Sequence, residues 1–543
     1  LFFISNGKDT QQIMTAHAEL IIFNGTIHTM DVANPRAEAV AIGNGKIIAV
    51  GTLDAIEGLI QANTRRIDLR GRTLIPGFND AHIHLWKVGM LLTGMLDTRA
   101  ASTPTIPAIV DAFRARAAQT PAGSWITGRG YHESALPEHR HPTRADLDVA
   151  TADHPIQLIH TSAHIAVVNT RALQLAGITH DTPDPAGGEI DRDEHGEATG
   201  ILRETAMNLV NAVIPPPTPA EFEAAVLAGA KACLKLGITS ITDPGVSPAD
   251  LEVYRTLKNE RRLPVRANVM ALRYAADGSK VPLPERLETE WLRIDTVKLF
   301  ADGGLSSATA ALSADYPGRP DSRGLLRYTD DQLRALIWDI HRAGLRASIH
   351  AIGDVAIDQV LGAVEYASSR LVARFRHRIE HFGLPSAEHM QRARYRVNVV
   401  PQLAFIHALG DSFLEYVPPS LAAQIYPLRA MIDAGLTVAL SSDAPVVPDF
   451  NPLLGLKAAA DRLSASGRLV TPEQAVSVAE TLPMYTLNGA IVAGDEAIKG
   501  TIIPGKLADL TILSGDPLRA PIERLTDLKV ETTIVNGQIV YTG

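Results

Sequence analysis

Short apolar runs alternate with helix-like stretches through the middle of this chain, and that alternation constrains its fold more than any other feature. Eight runs read as strands, at residues 74–84, 238–243, 265–270, 296–300, 346–350, 376–381, 397–401 and 437–442. Helical patterns lie between most of them, for example at 220–236, 329–343 and 355–367. Parallel strands need a crossover to connect them, so such a pattern predicts a parallel sheet with helices on its outside. Eight β-then-α units predict an α/β fold of the (β/α)8 TIM-barrel type, at 76–496. The first and second runs are separated by a much longer gap. Residues 97–205 are therefore read as an inserted cap subdomain after the first barrel strand. Insertions at that end of a barrel stand over the substrate site, so this one is expected to roof it.

The two ends of the chain have a different texture. Residues 18–75 carry short strand-like runs closed by turns, including Asn24-Gly25 and Asn44-Gly45. Residues 497–543 repeat the style with an Asn536-Gly537 turn. Asn-Gly between apolar runs is a strong hairpin signal. Neither end is long enough to bury a sheet face by itself, so both are expected to combine in one small β-sandwich domain. Residues 1–17 read as a leader or tag outside the fold, with Met14 as a natural start.

Composition excludes several classes. The net charge is −9 and no Lys/Arg cluster stands out, which argues against nucleic-acid and anionic-membrane partners. No run approaches the roughly 20 apolar residues that cross a bilayer. A single cysteine, Cys233, rules out a disulfide within the chain and fits a reducing, cytoplasmic location. Cys233 itself reads as a small buried residue on a helix. There is no GxSxG elbow, so Ser441-Ser442 gives no support for a serine hydrolase.

The chemistry sits at the ends of the strand candidates. His82-Ile83-His84 closes the first, and i and i+2 on a strand share a face, so two imidazoles are offered to one metal. Lys298 lies inside the apolar run Thr296-Val297-Lys298-Leu299-Phe300, where an ammonium is costly without a partner. His350, His381 and Asp443 end three further runs. A ring of ionisable residues at strand ends is what a metal site at the mouth of a barrel requires. These ligand types suit Zn²⁺, and they also accept Fe²⁺, Mn²⁺, Co²⁺ or Ni²⁺.

The motifs Pro76-Gly77-Phe78-Asn79-Asp80-Ala81-His82-Ile83-His84, Val297-Lys298-Leu299-Phe300-Ala301-Asp302-Gly303-Gly304, His350-Ala351-Ile352-Gly353-Asp354, Arg378-Ile379-Glu380-His381 and Ser442-Asp443-Ala444-Pro445 together resemble the amidohydrolase superfamily. The resemblance is to the amidohydrolase family 3 branch, which includes N-substituted formamide deformylases, and runs from about residue 18 to 543. It implies two divalent metal ions, with His82, His84 and Asp443 on one and His350 and His381 on the other. It also implies a Lys298 carboxylated by CO2 that bridges both. An unmodified Lys298, paired with Asp302 or Asp295, would instead fit a one-metal site. Asp443 is implied to move the proton from water to the leaving amine. The implied reaction is hydrolysis of a C–N bond in a small molecule: an amide, an N-formyl group or a related carbonyl compound. An ester, lactone or cyclic imide substrate, a deamination, and a metal-free scaffold without catalysis are the alternatives.

Trp86, Tyr131, His164, Asp302 and Phe405 are the substrate-contact candidates. The chain departs from the family pattern at Ala163, where glycine is usual, and at His132, where an acidic residue is usual. Relatives of this kind are often dimers, which leaves a homodimer open.

Overall fold

A computed structural model describes residues 17–543 apart from 186, 276–277 and 448. The suggested start at Met14, and all of the suggested leader except His17, lie outside the described residues. The chain divides into two compact units. One ends its first segment at Asn79 and adds Cys233–Ser240 and Leu482–Gly543; the other comprises Asp80–Ala232 and Ile241–Thr481.

In the first unit, strands from both termini form one hydrogen-bonded sheet of eight. The join is the antiparallel pairing of Leu510–Leu513 with Thr73–Pro76. Residue alternation explains why the sheet forms. On the strand Leu20–His28, Leu20 and Ile22 pack with Val40, Leu74, Ile512 and Ile534. Ile21 points the other way, into a cluster with Ala39, Ala41 and Ile56. Asn44-Gly45 and Asn536-Gly537 both have positive φ at each residue, the backbone that a two-residue hairpin turn demands. A sandwich of two sheets was expected; the strands instead bond edge to edge in a single sheet.

A TIM-barrel-like α/β arrangement is built around a parallel sheet, most of whose strands belong to the second unit. Its order is Val397–Val400, His377–His381, Arg346–Ala351, Leu292–Phe300, Arg266–Leu272, Ile238–Val246, Phe78–Asp80. Val297, Leu299, Ala347, Ile349 and Ile379 are all fully or almost fully buried, as a sheet covered on both faces requires. The expected helices are present at Pro219–Lys235, Asp330–Arg342 and Asp354–Ser368. A reciprocal capping box between Thr329 and Gln332 starts the second of these. Cys233 is buried, on the first.

Two strand expectations need correction. The first run breaks at Gly77 into Thr73–Pro76 and Phe78–Asp80, which belong to different sheets. A Cβ at Gly77 would lie 2.2 Å from Thr239 Oγ1, so the chain passes there only as glycine. His82 and His84 therefore follow the strand instead of closing it. The last run, at 437–442, is not a strand. It makes one parallel bridge, Val438 to Val399. Ala439 N donates to Val399 O (3.1 Å) and Ala81 N to Leu440 O (3.4 Å). The segment lies between the Val397–Val400 strand and Ala81 with too few ladder bonds to count as a strand.

Residues 96–204 form a separate six-stranded sheet, in the order Gly188–Arg192, Ala198–Glu204, Ile165–Val168, Ile156–His160, Ile126–Tyr131, Leu96–Asp97. Helix Ile106–Ala117 lays Ile109 and Phe113 on this sheet against Tyr131 and Leu158. No helix among the described residues is long and apolar enough to cross a membrane.

Candidate metal centre

Backbone ties bring the two motif ends together. Asp80, fully buried, accepts from His82 N and from Ser442 N, both at 3.1 Å. Asp443 N donates to His82 O at 2.7 Å. Asp443 and His381 hold φ of 55° and 71°, a region that costs a non-glycine residue about 1–3 kcal/mol and that clusters at functional sites. These left-handed residues turn the two side chains out of their runs.

The six ionisable residues singled out in the sequence, His82, His84, Lys298, His350, His381 and Asp443, line one cavity of about 280 Å³. One donor atom each from His82, His84 and Asp443 lies within 4.8 Å of the others. Asp443 Oδ1 is 3.4 Å from His82 Nε2 and 3.3 Å from His84 Nε2. His82 and His381 ring centres are 5.5 Å apart, and those of His381 and His350 4.4 Å. Lys298 sits on the strand Leu292–Phe300 beside Ser348, and Phe300 lies beside His350. It is almost fully buried, and its ammonium lies 4.8 Å from the Phe300 ring centre. It makes no ion pair with Asp302 or Asp295. Asp295 is held by Arg293 (2.7 Å) and Arg346 (3.3 Å).

Three of the four imidazoles are oriented from behind. His82 Nδ1 donates to Glu380 Oε2 at 2.6 Å. His381 Nδ1 donates to Gln402 Oε1 at 2.6 Å, and the Gln402 amide is fixed by bonds to Val400 O and Ser441 Oγ. His350 Nε2 donates to Gly303 O at 3.0 Å. These bonds fix which nitrogen carries the proton and leave the other lone pair facing inward. Burial drives His84 down to about 3 and His381 down to about 4, and holds His350 well below the ordinary imidazole value. Burial pushes Asp443 up, but His82 and His84 beside it hold its carboxyl well below the usual range.

His82 Nε2 and His84 Nε2 converge on the buried Asp443 Oδ1, at 3.4 and 3.3 Å. Two imidazoles and a carboxylate brought together away from water are a donor set that a cation stabilises. The donor set therefore fits a divalent metal. A second grouping, His132, Glu133 and His160, lies in the insert.

Of the substrate-contact candidates, His164 and Asp302 line this cavity, and Phe405 lines an adjoining apolar recess and stacks on His381. His164 Nδ1 donates to Glu204 Oε2 at 3.0 Å. Asp302 spends its carboxylate on the backbone, accepting from Ile352 N, Gly353 N and Ala311 N. Trp86 and Tyr131 are placed elsewhere. Trp86 lies on helix Leu85–Thr93 and packs against Phe222. Tyr131 is fully buried in the insert core, with its hydroxyl 3.0 Å from His141 Nδ1. Tyr131→Phe should leave kcat/KM within about threefold, whereas Tyr131→Ala should cost about 3–5 kcal/mol of stability, read by urea unfolding. A large kcat/KM loss in the phenylalanine variant would return Tyr131 to the site.

Glu380, Gln402, Lys87, Arg129 and Glu204 were not proposed as site residues. Two had a signal: Arg203-Glu204 resembles a family motif near the site, and Glu380 shares a face of its strand with Arg378, which binds it at 2.8 Å.

Known proteins resemble this chain over nearly its whole length. The sequence matches the amidohydrolase family over residues 65–541. It is 30% identical to the N-substituted formamide deformylase of Arthrobacter pascens over 541 residues, covering 97% of this chain and 99% of that protein. The crystal structure of an uncharacterized metal-dependent hydrolase from Pyrococcus horikoshii superposes with a TM-score of 0.75 at 26% identity, covering 93% of this chain and 99% of that one. One from Pyrococcus furiosus gives 0.72 at 28%, with coverages of 92% and 100%. The chain belongs to the amidohydrolase family, as a metal-dependent hydrolase acting on carbon–nitrogen bonds.

Proposed function

We propose that the protein hydrolyses an amide or N-formyl group of a small molecule at a centre of two divalent ions, with Zn²⁺ the best fit to the donors. His82, His84 and Asp443 would hold one ion, and His350 and His381 the second, with a Lys298 carboxylated by CO2 as a further anionic ligand. Bound there, such ions lower the pKa of water and polarise a carbonyl. The observation that carries this reading is the convergence of one donor atom each from His82, His84 and Asp443, all within 4.8 Å of one another. Burial lowers the Lys298 ammonium to about 8, which makes a neutral amine, the form that reacts with CO2, accessible near neutral pH.

The chain's own residues perform the remaining steps. Asp443, ionised, takes a proton from the attacking water at its carboxylate and delivers it to the leaving nitrogen. Glu380 and Gln402 keep the His82 and His381 lone pairs inward. His164, oriented by Glu204, stands over the cavity to position the acyl group. Residues 97–205 act as the cap, over a (β/α)8 layout in which 437–442 supplies the eighth stave. The chain works in the cytoplasm.

The test is amine release from N-formyl and N-acyl amines by enzyme as purified, after chelation, and after Zn²⁺ is restored. Activity lost on chelation and recovered on reloading supports the reading. Turnover of esters or lactones alone would overturn the bond assignment, and turnover unchanged by chelation would overturn the metal.

Metal retention should also depend on pH with a definite sign. Protons compete with the cation for the imidazole lone pairs, so retention falls as pH falls. Burial lowers His84 and His381, while His82, against its burial, is raised by Glu380 and Asp443, so retention in dialysis should be greatest at neutral pH and fall as the medium is acidified. Retention that does not change between about pH 7 and about pH 3 would contradict the assignment.

A further inference from the structure

The cavity beside the metal centre holds basic groups that the centre does not use. Lys87 and Arg129 both line it, and among the described residues neither makes an ion pair or a side-chain hydrogen bond. Arg129 is only 7% exposed, and its Nε is buried without a partner. The Lys87 ammonium lies 5.5 Å from the Trp86 ring centre. A buried guanidinium without a carboxylate is costly, and a fold keeps one where a ligand supplies the missing charge.

The acidic groups lining the same cavity are already engaged. Glu204 is bonded to His164, Asp302 to three backbone amides, and Asp443 faces His82 and His84. Asp443 attracts both Lys87 and Arg129 from a distance, and Asp243, which also attracts Lys87, accepts from Tyr254 Oη at 2.5 Å. Binding of cations at Asp443 makes the cavity more positive still. A planar guanidinium suits a carboxylate, which it grips through two parallel N–H bonds.

We propose that Arg129 and Lys87 form an anion subsite beside the metal centre, and that the amide cleaved there carries a carboxylate. This rests on the C–N hydrolysis reading above. An adjoining recess shares His350, His381 and Asp443 with the cavity and is walled by Phe405, Phe413 and Tyr426. The substrate class is thus an N-acyl compound with a carboxylate on the Arg129 side and an apolar group toward Phe405.

The probes are both enantiomers of N-formylphenylalanine and the matched N-formyl-2-phenylethylamine, which lacks only the carboxylate. One N-formylphenylalanine enantiomer should show kcat/KM at least about 100-fold above the neutral amide. In Arg129→Gln that ratio should collapse by at least about 30-fold, with Lys87→Met lowering it less. If R129Q does not fold, Lys87→Met carries the same comparison. Equal turnover of both compounds, or an unchanged ratio in the variants, overturns the subsite while leaving C–N hydrolysis standing. If neither compound is cleaved, the choice of amide fails, and calorimetric titration with N-formylphenylalanine decides the subsite separately. Binding to the wild type that weakens in the variants supports it; absent or equal binding overturns it.

Discussion

Replacing Asp443 by Asn will leave the protein folded and lower kcat/KM by at least about 10³-fold. The substitution keeps the size and shape of the side chain, so the positive-φ turn at 443 and the bond from Asp443 N to His82 O persist. What disappears is the anionic oxygen 3.3–3.4 Å from two imidazoles and the base that receives the proton of water. Both losses act on the chemical step, so kcat should fall more than KM rises. Circular dichroism and the urea midpoint should remain near wild type. A folded Asp443→Asn enzyme with near-normal turnover would remove Asp443 from the role of base.

Glu380→Ala should have the second-largest effect, and it should be double. Glu380 is fully buried and accepts from His82 Nδ1, Ser348 Oγ and Arg378 Nε. Its removal strands the Arg378 guanidinium, also fully buried. Breaking a buried pair on one side costs about 3–5 kcal/mol, to be read as a lower urea midpoint. It also frees the His82 ring to rotate or change tautomer, which should weaken metal affinity by about 10–100-fold. The pH dependence follows from the carboxyl itself. Burial pushes it up, but Arg378 and His82 hold it well below the ordinary value. Its contribution is therefore present above the unfolded carboxylate range, about pH 4.3, and is lost as pH falls toward the folded value. The wild type should lose its stability advantage over Glu380→Ala as the medium is acidified through that range. Equal metal affinity in the two proteins would show that Glu380 serves the fold alone.

The proposed metal donors were legible in the sequence because each is an ionisable residue at or just beyond an apolar run. Lys298 inside Thr296–Phe300, His350 after Ala347-Ser348-Ile349 and His381 after Ile379-Glu380 put ionisable groups into buried runs, where they are costly without a partner or a function. The residues that orient them were hidden by distance along the chain. His82 and Glu380 are 298 positions apart, and no local pattern pairs them. Arg129 is a lone base in a Gly-rich stretch, and only the packing of the insert brings it to the cavity. Trp86 misled for the opposite reason. It stands two positions after His84, yet the helix beginning at Leu85 carries it away toward Phe222.

Fold errors had the same root. The run at 437–442 has strand composition but makes a single bridge. The continuous reading of 74–84 missed that Gly77 divides it between two sheets. Periodicity reports which residues are buried, not which neighbour they pair with.

Metal content per chain, by elemental analysis of the purified protein alongside Lys298→Ala, tests the central claim most directly. The account predicts about two divalent ions per wild-type chain and fewer in the variant, since a bridging ligand joins two sites. One ion per chain, held equally well without Lys298, would contradict the bridged pair and leave a mononuclear site at His82, His84 and Asp443.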